Sequence, residues 1–390
     1  MAEIASGAEY LARARALAPL IAGLADRIEA ERRLPDELLD ALFDAGLYRL
    51  LLPREFAGGE VDPPSFVETI ESVAKADAST AWCLCQAAGC SMVAAFVPPD
   101  IAATVFRDKR AVLAWGPGPG RAVAAPGGYR VSGKWSFASG GRHASWLGGI
   151  CAVVEADGTP RREADGTPSI RTLLFPASQA TMTDIWQVIG LRGTASDAFA
   201  VTDLFVPEGY AAPRDDQASR RERGPLYCFP TSSLYAAGFA GVALGIARST
   251  LDAFIALAAE KTPRGFKTSL RDNAVIQAEV ARAEARLGAA RSFLLLSLAE
   301  IWRDVVASNA LTLAQRMRIR LAATYAIDQA TAVADTAYHQ AGATAIFASG
   351  AFERRFRDIH TVAQQVQGRA SHFETVGQFM LGLEPDLLFV

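Results

Sequence analysis

The chemically expressive residues of this 390-residue chain fall in five short stretches. In GKWSFASGGRHASW, residues 133–146, Trp135, Phe137 and Ser139 alternate, so on a strand they share one face. An aromatic ring beside a hydroxyl suits a planar heterocycle, the ring stacking and the hydroxyl bonding a ring nitrogen. A plain core strand fits the same pattern. In AWGPGPGRA, residues 114–122, alternating glycine and proline fix a loop whose backbone can approach a ligand closely. It lacks the lysine, spacing and following helix of a phosphate-binding loop, and a structural turn accounts for it as well. GLRGTASDA, residues 190–198, reads as a turn between strands. EKTPRGFKTSLRD, residues 260–272, gathers Lys261, Arg264, Lys267 and Arg271 before a helix. Such a cluster holds a phosphate or pyrophosphate, or is a solvated basic loop. Finally, FERRFRDIHTVAQQVQGRASHFETVGQFMLG, residues 352–382, reads as a helix opened by Arg354, Arg355, Arg357 and Asp358 and carrying Gln364, Gln365 and Gln367. Buried amides cost free energy unless each is satisfied, which favours a site there, while an exposed helix face explains the run equally well.

Other chemistries are poorly served. The histidines His143, His339, His360 and His372 show no metal-ligand spacing, so no metal is expected. The cysteines Cys83, Cys85, Cys90, Cys151 and Cys228 are odd in number and form neither a redox pair nor a zinc pattern. Three lie in the apolar segment AWCLCQAAGC and read as small buried thiols. A formal net charge of −3 without a basic run argues against nucleic acid. The opening MAEIASGAEYLARARALAPL lacks the layout of a secretory leader, and no stretch reads as a bilayer span. A cytoplasmic chain is expected.

The elements that position these stretches change character along the chain. Residues 1–110 read as a helical domain, with apolar positions at three- and four-residue steps. Pro35, Asp36, Glu37 and Asp40 mark a helix start that Gly46 stops. Residues 111–215 read as a β domain, with a hairpin turning at Gly127–Gly128 and EADGTP repeated at an exposed tip. Residues 216–390 read as a four-helix bundle, whose clearest stripe is Val280, Ala283, Leu287, Ala290, Leu294, Leu298 and Ile301. Helices, then strands, then helices make an α+β fold, since α/β folds alternate the two.

Taken in order, these segments resemble the acyl-CoA dehydrogenase superfamily over essentially the whole chain. LPDELLDALFDAGLYRLLLPREFAGGEVD is similar to its opening helices and Gly-Gly turn, GGYRVSGKWSFASGGRHASW to its flavin-facing hairpin, GLRGTASDAFAVTDLFVP to its β-domain exit, and HQAGATAIFASGAFERRFRD to the approach to its last helix. The resemblance implies an N-terminal α-helical domain, a central β-barrel-like domain, a C-terminal four-helix bundle and a homotetramer. It implies that Phe137 and Ser139 contact the isoalloxazine, that Trp115, Gly116 and Pro117 line its other side, and that Arg264 and Phe266 reach flavin phosphates or adenine from a neighbouring subunit. His339 and Gly342 match a segment touching cofactor across a dimer interface.

The family's dehydrogenases place a carboxylate nine or ten residues after the Arg of an RD pair. Counted from Arg357, this sequence offers Gln365, Val366, Gln367 and Gly368, with no carboxylate until Glu374. Glutamine cannot act as a base. ADASTAW, GKWSFASG and RDIHTVAQ instead resemble the two-component flavin monooxygenases on this fold, which use reduced FMN or FAD from a separate reductase, with molecular oxygen, to hydroxylate small aromatic or heteroaromatic rings. Those enzymes usually carry histidines where this sequence has Gln365 and Asp197. The acid–base group is therefore open. Gln365, Ser139 and His143 are the catalytic candidates, although a histidine placed, as His143 is, past the flavin strand is more often a turn residue than a catalytic one. An acyl-CoA dehydrogenase or oxidase using Glu374, an N-oxygenase, and a non-catalytic flavin-fold protein are the rival readings.

Overall fold

The computed structural model describes residues 5–390. The first four residues of the segment read above as lacking a leader lie outside it. Five helices come first: α1 (Gly7–Glu31), α2 (Asp36–Asp44), α3 (Pro63–Ala74), α4 (Ala78–Ser91) and α5 (Pro99–Phe106). Their starts follow from side-chain caps. Ser6 and Glu9 form a capping box on α1, Asp62 caps α3, and Asp77 caps α4 through the Thr80 N–H at 2.6 Å. Pro35 stands at the cap of α2, with Asp36 and Glu37 in its first turn, and Gly46 follows in the left-handed conformation.

The strands are β1 (Leu113–Ala125), β2 (Gly128–Ala138), β3 (Trp146–Val154), β4 (Ile170–Pro176), β5 (Thr181–Thr183), β6 (Asp197–Pro207) and β7 (Ala211–Ala212). They form one sheet in the order β5-β6-β2-β1-β3-β4-β7. The end strands β5 and β7 do not pair with one another, so the central β domain is a sheet left open at its edges. Trp135, Leu147, Phe175 and Phe199 fill its interior from four different strands. The β1–β2 hairpin turns where predicted, with Gly127 at φ +78°. The duplicated EADGTP makes two successive turns between β3 and β4, each with a glycine at positive φ (Gly158 and Gly166).

The last part is α6 (Thr231–Glu260), α7 (Ala274–Ser308), α8 (Leu313–Ala341), α9 (Glu353–Gln364) and α10 (Ser371–Met380). The α7 stripe is buried as expected except Val280, which is half-buried. The predicted box of Thr312 with Gln315 opens α8. Helix α6 corrects the sequence reading on one point: it is long and apolar enough to cross a bilayer. Here it is the central helix of the fold, with most of its residues buried against α3, α4, α8 and α9. Its neighbours explain its composition: Gly238, Gly241 and Gly245 admit side chains and backbone of α3 and α4 where a Cβ would collide. The first and last helical segments thus share a single apolar core, separate from that of the sheet. All five cysteines are buried free thiols, three of them on α4.

Candidate functional site

The site begins at a fault in β2. Trp135 pairs with Phe199 of β6, but Ala138 pairs with Asp197, leaving one extra residue on β2. That is a β-bulge, and it breaks the alternation expected of Trp135, Phe137 and Ser139. Trp135 turns inward, stacks on Phe199 at 5.1 Å and donates its indole N–H to the Ile150 carbonyl. It belongs to the sheet core and leaves the predicted shared face. Phe137 takes the left-handed conformation at φ +60° and is 58% exposed, edge-on to Trp186 at 5.9 Å. A strained backbone carrying an uncovered aromatic ring costs stability twice, and such costs concentrate at functional positions.

Ser139 follows the strand and is buried. Its Oγ accepts the indole N–H of Trp82 on α4 at 3.0 Å and lies 2.7 Å from Ser196 Oγ, which lies 2.7 Å from Thr194 Oγ1. Thr194 donates to the Leu191 carbonyl at 2.9 Å. GLRGTASDA is therefore more than a turn. Leu191 and Ala195 hold positive φ, and its hydroxyls reach back to the exposed-aromatic strand. Sequence reading did not single out Trp82, Thr194 and Ser196, although they lie inside ADASTAW and GLRGTASDA, and their place in those motifs is the signal that could have marked them.

The Gly-Pro stretch is part of β1, not a free loop. A Cβ on Gly116 would sit 1.8 Å from the Ser136 carbonyl, and one on Gly118 2.2 Å from that of Lys134, so both must be glycine. Pro117 is exposed. The Trp115 side chain, in contrast, is buried with Leu174 and Ala212 under the Arg214 guanidinium, and its carbonyl accepts from Gln86. Backbone at Gly116 and the Pro117 ring are what this strand presents.

Around this centre stand two polar pairs. Asp197 is buried and forms a bidentate pair with Arg142, at 2.6 and 3.2 Å. Arg142 also meets Asp184, which Arg32 holds at 2.6 Å. The Arg32 hydrogen bond, with the positive charges of Arg142 and Arg32, holds the Asp184 carboxyl down at about 2. His143 Nε2 lies 2.9 Å from the Tyr48 hydroxyl. Burial pushes His143 down to about 4 and Tyr48 well above its ordinary value, so both are neutral.

The glutamines are arranged differently from the prediction. Helix α9 ends at Gln364, and Gln365 caps the turn that follows, its Oε1 accepting the Gln367 N–H at 2.7 Å. Gln367 is buried and accepts from Arg320 at 2.5 Å. Burial pushes the Arg320 guanidinium down to about 10. Glu374 is exposed on α10 beside Gln378. His372 Nε2 donates to the Val366 carbonyl at 2.7 Å, and His360 pairs with Asp335 at 2.9 Å.

Arg264 and Phe266 lie on the exposed α6–α7 loop, and His339 and Gly342 at the end of α8. Lys261 joins the two segments by donating to the Ala341 carbonyl at 2.6 Å and to Thr344 Oγ1 at 2.8 Å. No hydrogen bond or ion pair among the described residues links this second locus to Phe137 and Ser139 within one chain. The pieces at the first locus fit a planar heterocycle: an uncovered aromatic face, a buried hydroxyl and close-packed glycine backbone.

The family profile described as acyl-CoA dehydrogenase, N-terminal domain, matches residues 11–103, and that of the C-terminal domain matches residues 237–368. The chain belongs to the acyl-CoA dehydrogenase family. Among its relatives, indole-3-acetate monooxygenase of Pseudomonas putida is 29% identical over 387 residues, covering 98% of this chain and 97% of that one. The FADH(2)-dependent resorcinol hydroxylase, oxygenase component, of Rhizobium sp. (strain MTP-10005) is 29% identical, covering 96% and 94%. The crystal structure of the HsaA monooxygenase from M. tuberculosis superposes with a TM-score of 0.89 at 26% identity, covering 99% of this chain and 100% of that one. Two of these three are named as monooxygenases, and the third as the oxygenase component of an FADH(2)-dependent hydroxylase.

Proposed function

We propose that this chain is the oxygenase component of a two-component flavin-dependent monooxygenase, hydroxylating a small aromatic or heteroaromatic substrate with reduced FMN or FAD supplied by a separate reductase. The observation that carries the reading is the missing base. Where a dehydrogenase of this family needs a carboxylate, Gln365 and Gln367 are engaged as amides, Asp358 is occupied by the Leu191 N–H, and Glu374 is exposed on α10. The relatives, matched nearly end to end, support the same reading.

Bound reduced flavin supplies the electrons with which one atom of molecular oxygen enters the substrate and the other leaves as water. The chain's own residues do the rest. Phe137 offers its face to the ring, and Ser139 holds it by a hydrogen bond. Gly116 and Pro117 bring backbone close from the other strand. His143 is neutral at working pH and able to accept or donate through Nε2, and Gln365 keeps an amide N–H pair for substrate or oxygen. Arg264, Phe266, His339 and Gly342 serve the cofactor of a neighbouring subunit in a homotetramer. Exposed Phe266, Leu296, Val306 and Phe347 on these helices and loops favour such an assembly. A reducing, cytoplasmic setting suits the five unpaired thiols.

The test supplies the protein with a flavin reductase, NADH, labelled oxygen and a panel including indole-3-acetate and resorcinol. One labelled atom in a hydroxylated product is the expected result. Bleaching of protein-bound oxidised flavin by an acyl-CoA, with no oxygen-dependent product, would overturn the proposal.

A further inference from the structure

The hydroxyl chain behind Phe137 has a direction, and that direction decides what Ser139 can offer a ligand. Leu191 O lies 2.9 Å from Thr194 Oγ1. The same carbonyl also accepts the Trp186 indole N–H at 3.0 Å and the Thr194 backbone N–H at 3.1 Å. A carbonyl has no proton to give, and two bare oxygens at that distance repel, so the Thr194 proton points at Leu191. Thr194 can then only accept from Ser196, at 2.7 Å. Ser196 in turn can only accept from Ser139, also at 2.7 Å. Trp82 Nε1, which has a donor and no acceptor, fills one lone pair of Ser139 Oγ at 3.0 Å. Ser139 is left with its proton committed and one acceptor position that no described residue fills. Trp82, Ser139, Thr194 and Ser196 are all buried, so water does not reorder the chain. The left-handed Leu191 and Ala195, at φ +51° and +44°, hold the two hydroxyl residues in this turn against a local cost.

We infer that Thr194 and Ser196 are positioning residues that make Ser139 a hydrogen-bond acceptor toward the cofactor, so that the site prefers reduced over oxidised flavin. This rests on the flavin reading above. The chemistry of the ring supplies the contrast: reduced isoalloxazine carries a proton on N5, whereas oxidised N5 is a bare acceptor. Ser139 as an acceptor bonds the first and opposes the second. The preference therefore originates two residues behind the one that meets the ring.

The experiment measures anaerobic dissociation constants for oxidised and for dithionite-reduced FMN, repeated with FAD, on the purified protein. Thr194→Val keeps the shape but removes the anchoring hydroxyl, releasing Ser196 to donate to Ser139 and Ser139 to donate to the ligand. The expected result is a fall of about tenfold in the ratio of oxidised to reduced dissociation constants, the scale of one net hydrogen bond. For a two-electron couple that is a drop of about 30 mV in the midpoint potential of the bound flavin. Thr194→Ser restores the hydroxyl and is expected to restore the ratio, which a merely structural role would not require. Ser196→Ala, which also frees the Ser139 proton, gives the same fall and serves if Thr194→Val does not fold. Flavin binding with an unchanged ratio in both variants overturns the inference alone. Failure of the unaltered protein to bind either redox form removes the flavin reading itself, and the inference with it.

Discussion

Asp358 on α9 accepts the backbone N–H of Leu191 at 2.6 Å, bridging 167 residues of sequence. The bond ties the last helical segment to the turn that carries Thr194 and Ser196. It places a carboxyl in surroundings hostile to charge. Burial, with Asp77 and Glu29 nearby, pushes Asp358 up to about 7 despite the Leu191 bond and Arg357.

Asp358 and His143 should make opposite contributions to the pH dependence of stability. Between about pH 4 and 7 the folded protein holds a proton on Asp358 that the unfolded chain has released, so this group's contribution falls as pH rises. His143, pushed down to about 4, is neutral when folded, while the unfolded chain protonates near its ordinary value of 6.5. Its contribution is present above that value and is lost as pH falls. Near pH 5 to 6 the two slopes cancel. Asp358→Asn, which keeps an acceptor for Leu191, should therefore gain a slope of about +1.4 kcal/mol per pH relative to the unaltered protein, and His143→Gln one of similar size and opposite sign. Urea unfolding at a series of pH values measures both. Parallel curves for all three proteins would refute the assignment.

Phe137→Gly should separate binding from folding. Glycine takes φ +60° without strain, and the lost ring is already exposed, so stability should hold or rise by about 1 kcal/mol. Reduced flavin should bind about tenfold more weakly for want of the stacking face. Thermal unfolding and an anaerobic titration report the two effects, and loss of stability without loss of binding would contradict the site.

Gln365→Glu discriminates between capping and chemistry. A carboxylate still accepts the Gln367 N–H, so the turn after α9 persists. It lacks the amide donor. We expect flavin binding to be kept while hydroxylated product per NADH oxidised drops several-fold. Unchanged coupling would confine Gln365 to its cap.

Asp197→Ala leaves Arg142 half-buried beside Asp184 without its bidentate partner. Losing the charge-assisted hydrogen bonds of a pair buried on the carboxylate side alone costs about 2 kcal/mol. A lower midpoint in chemical denaturation should follow, whereas Arg142→Met with Asp197→Leu together should recover much of it.

The order of helices, strands and helices, the Gly127 hairpin and the α7 stripe were legible in the sequence, because apolar periodicity and turn residues act locally. The missing carboxylate after Arg357 was legible too, since residue identity at a short spacing needs no fold. What tertiary structure alone decided is which side chains face the site. A single extra residue in β2 sends Trp135 into the sheet core and leaves Phe137 outside, and alternation cannot foresee a bulge set by pairing with β6. Helix α6 is long and apolar enough to cross a bilayer, a length the sequence reading did not register, and its glycines pack it against α3 and α4. Trp82, Ser139, Thr194 and Ser196 are scattered through the sequence and become one proton-ordered chain only where α4, β2 and the turn before β6 converge. Hydrogen-bond direction is a property of such a closed network, and no stretch of sequence contains it.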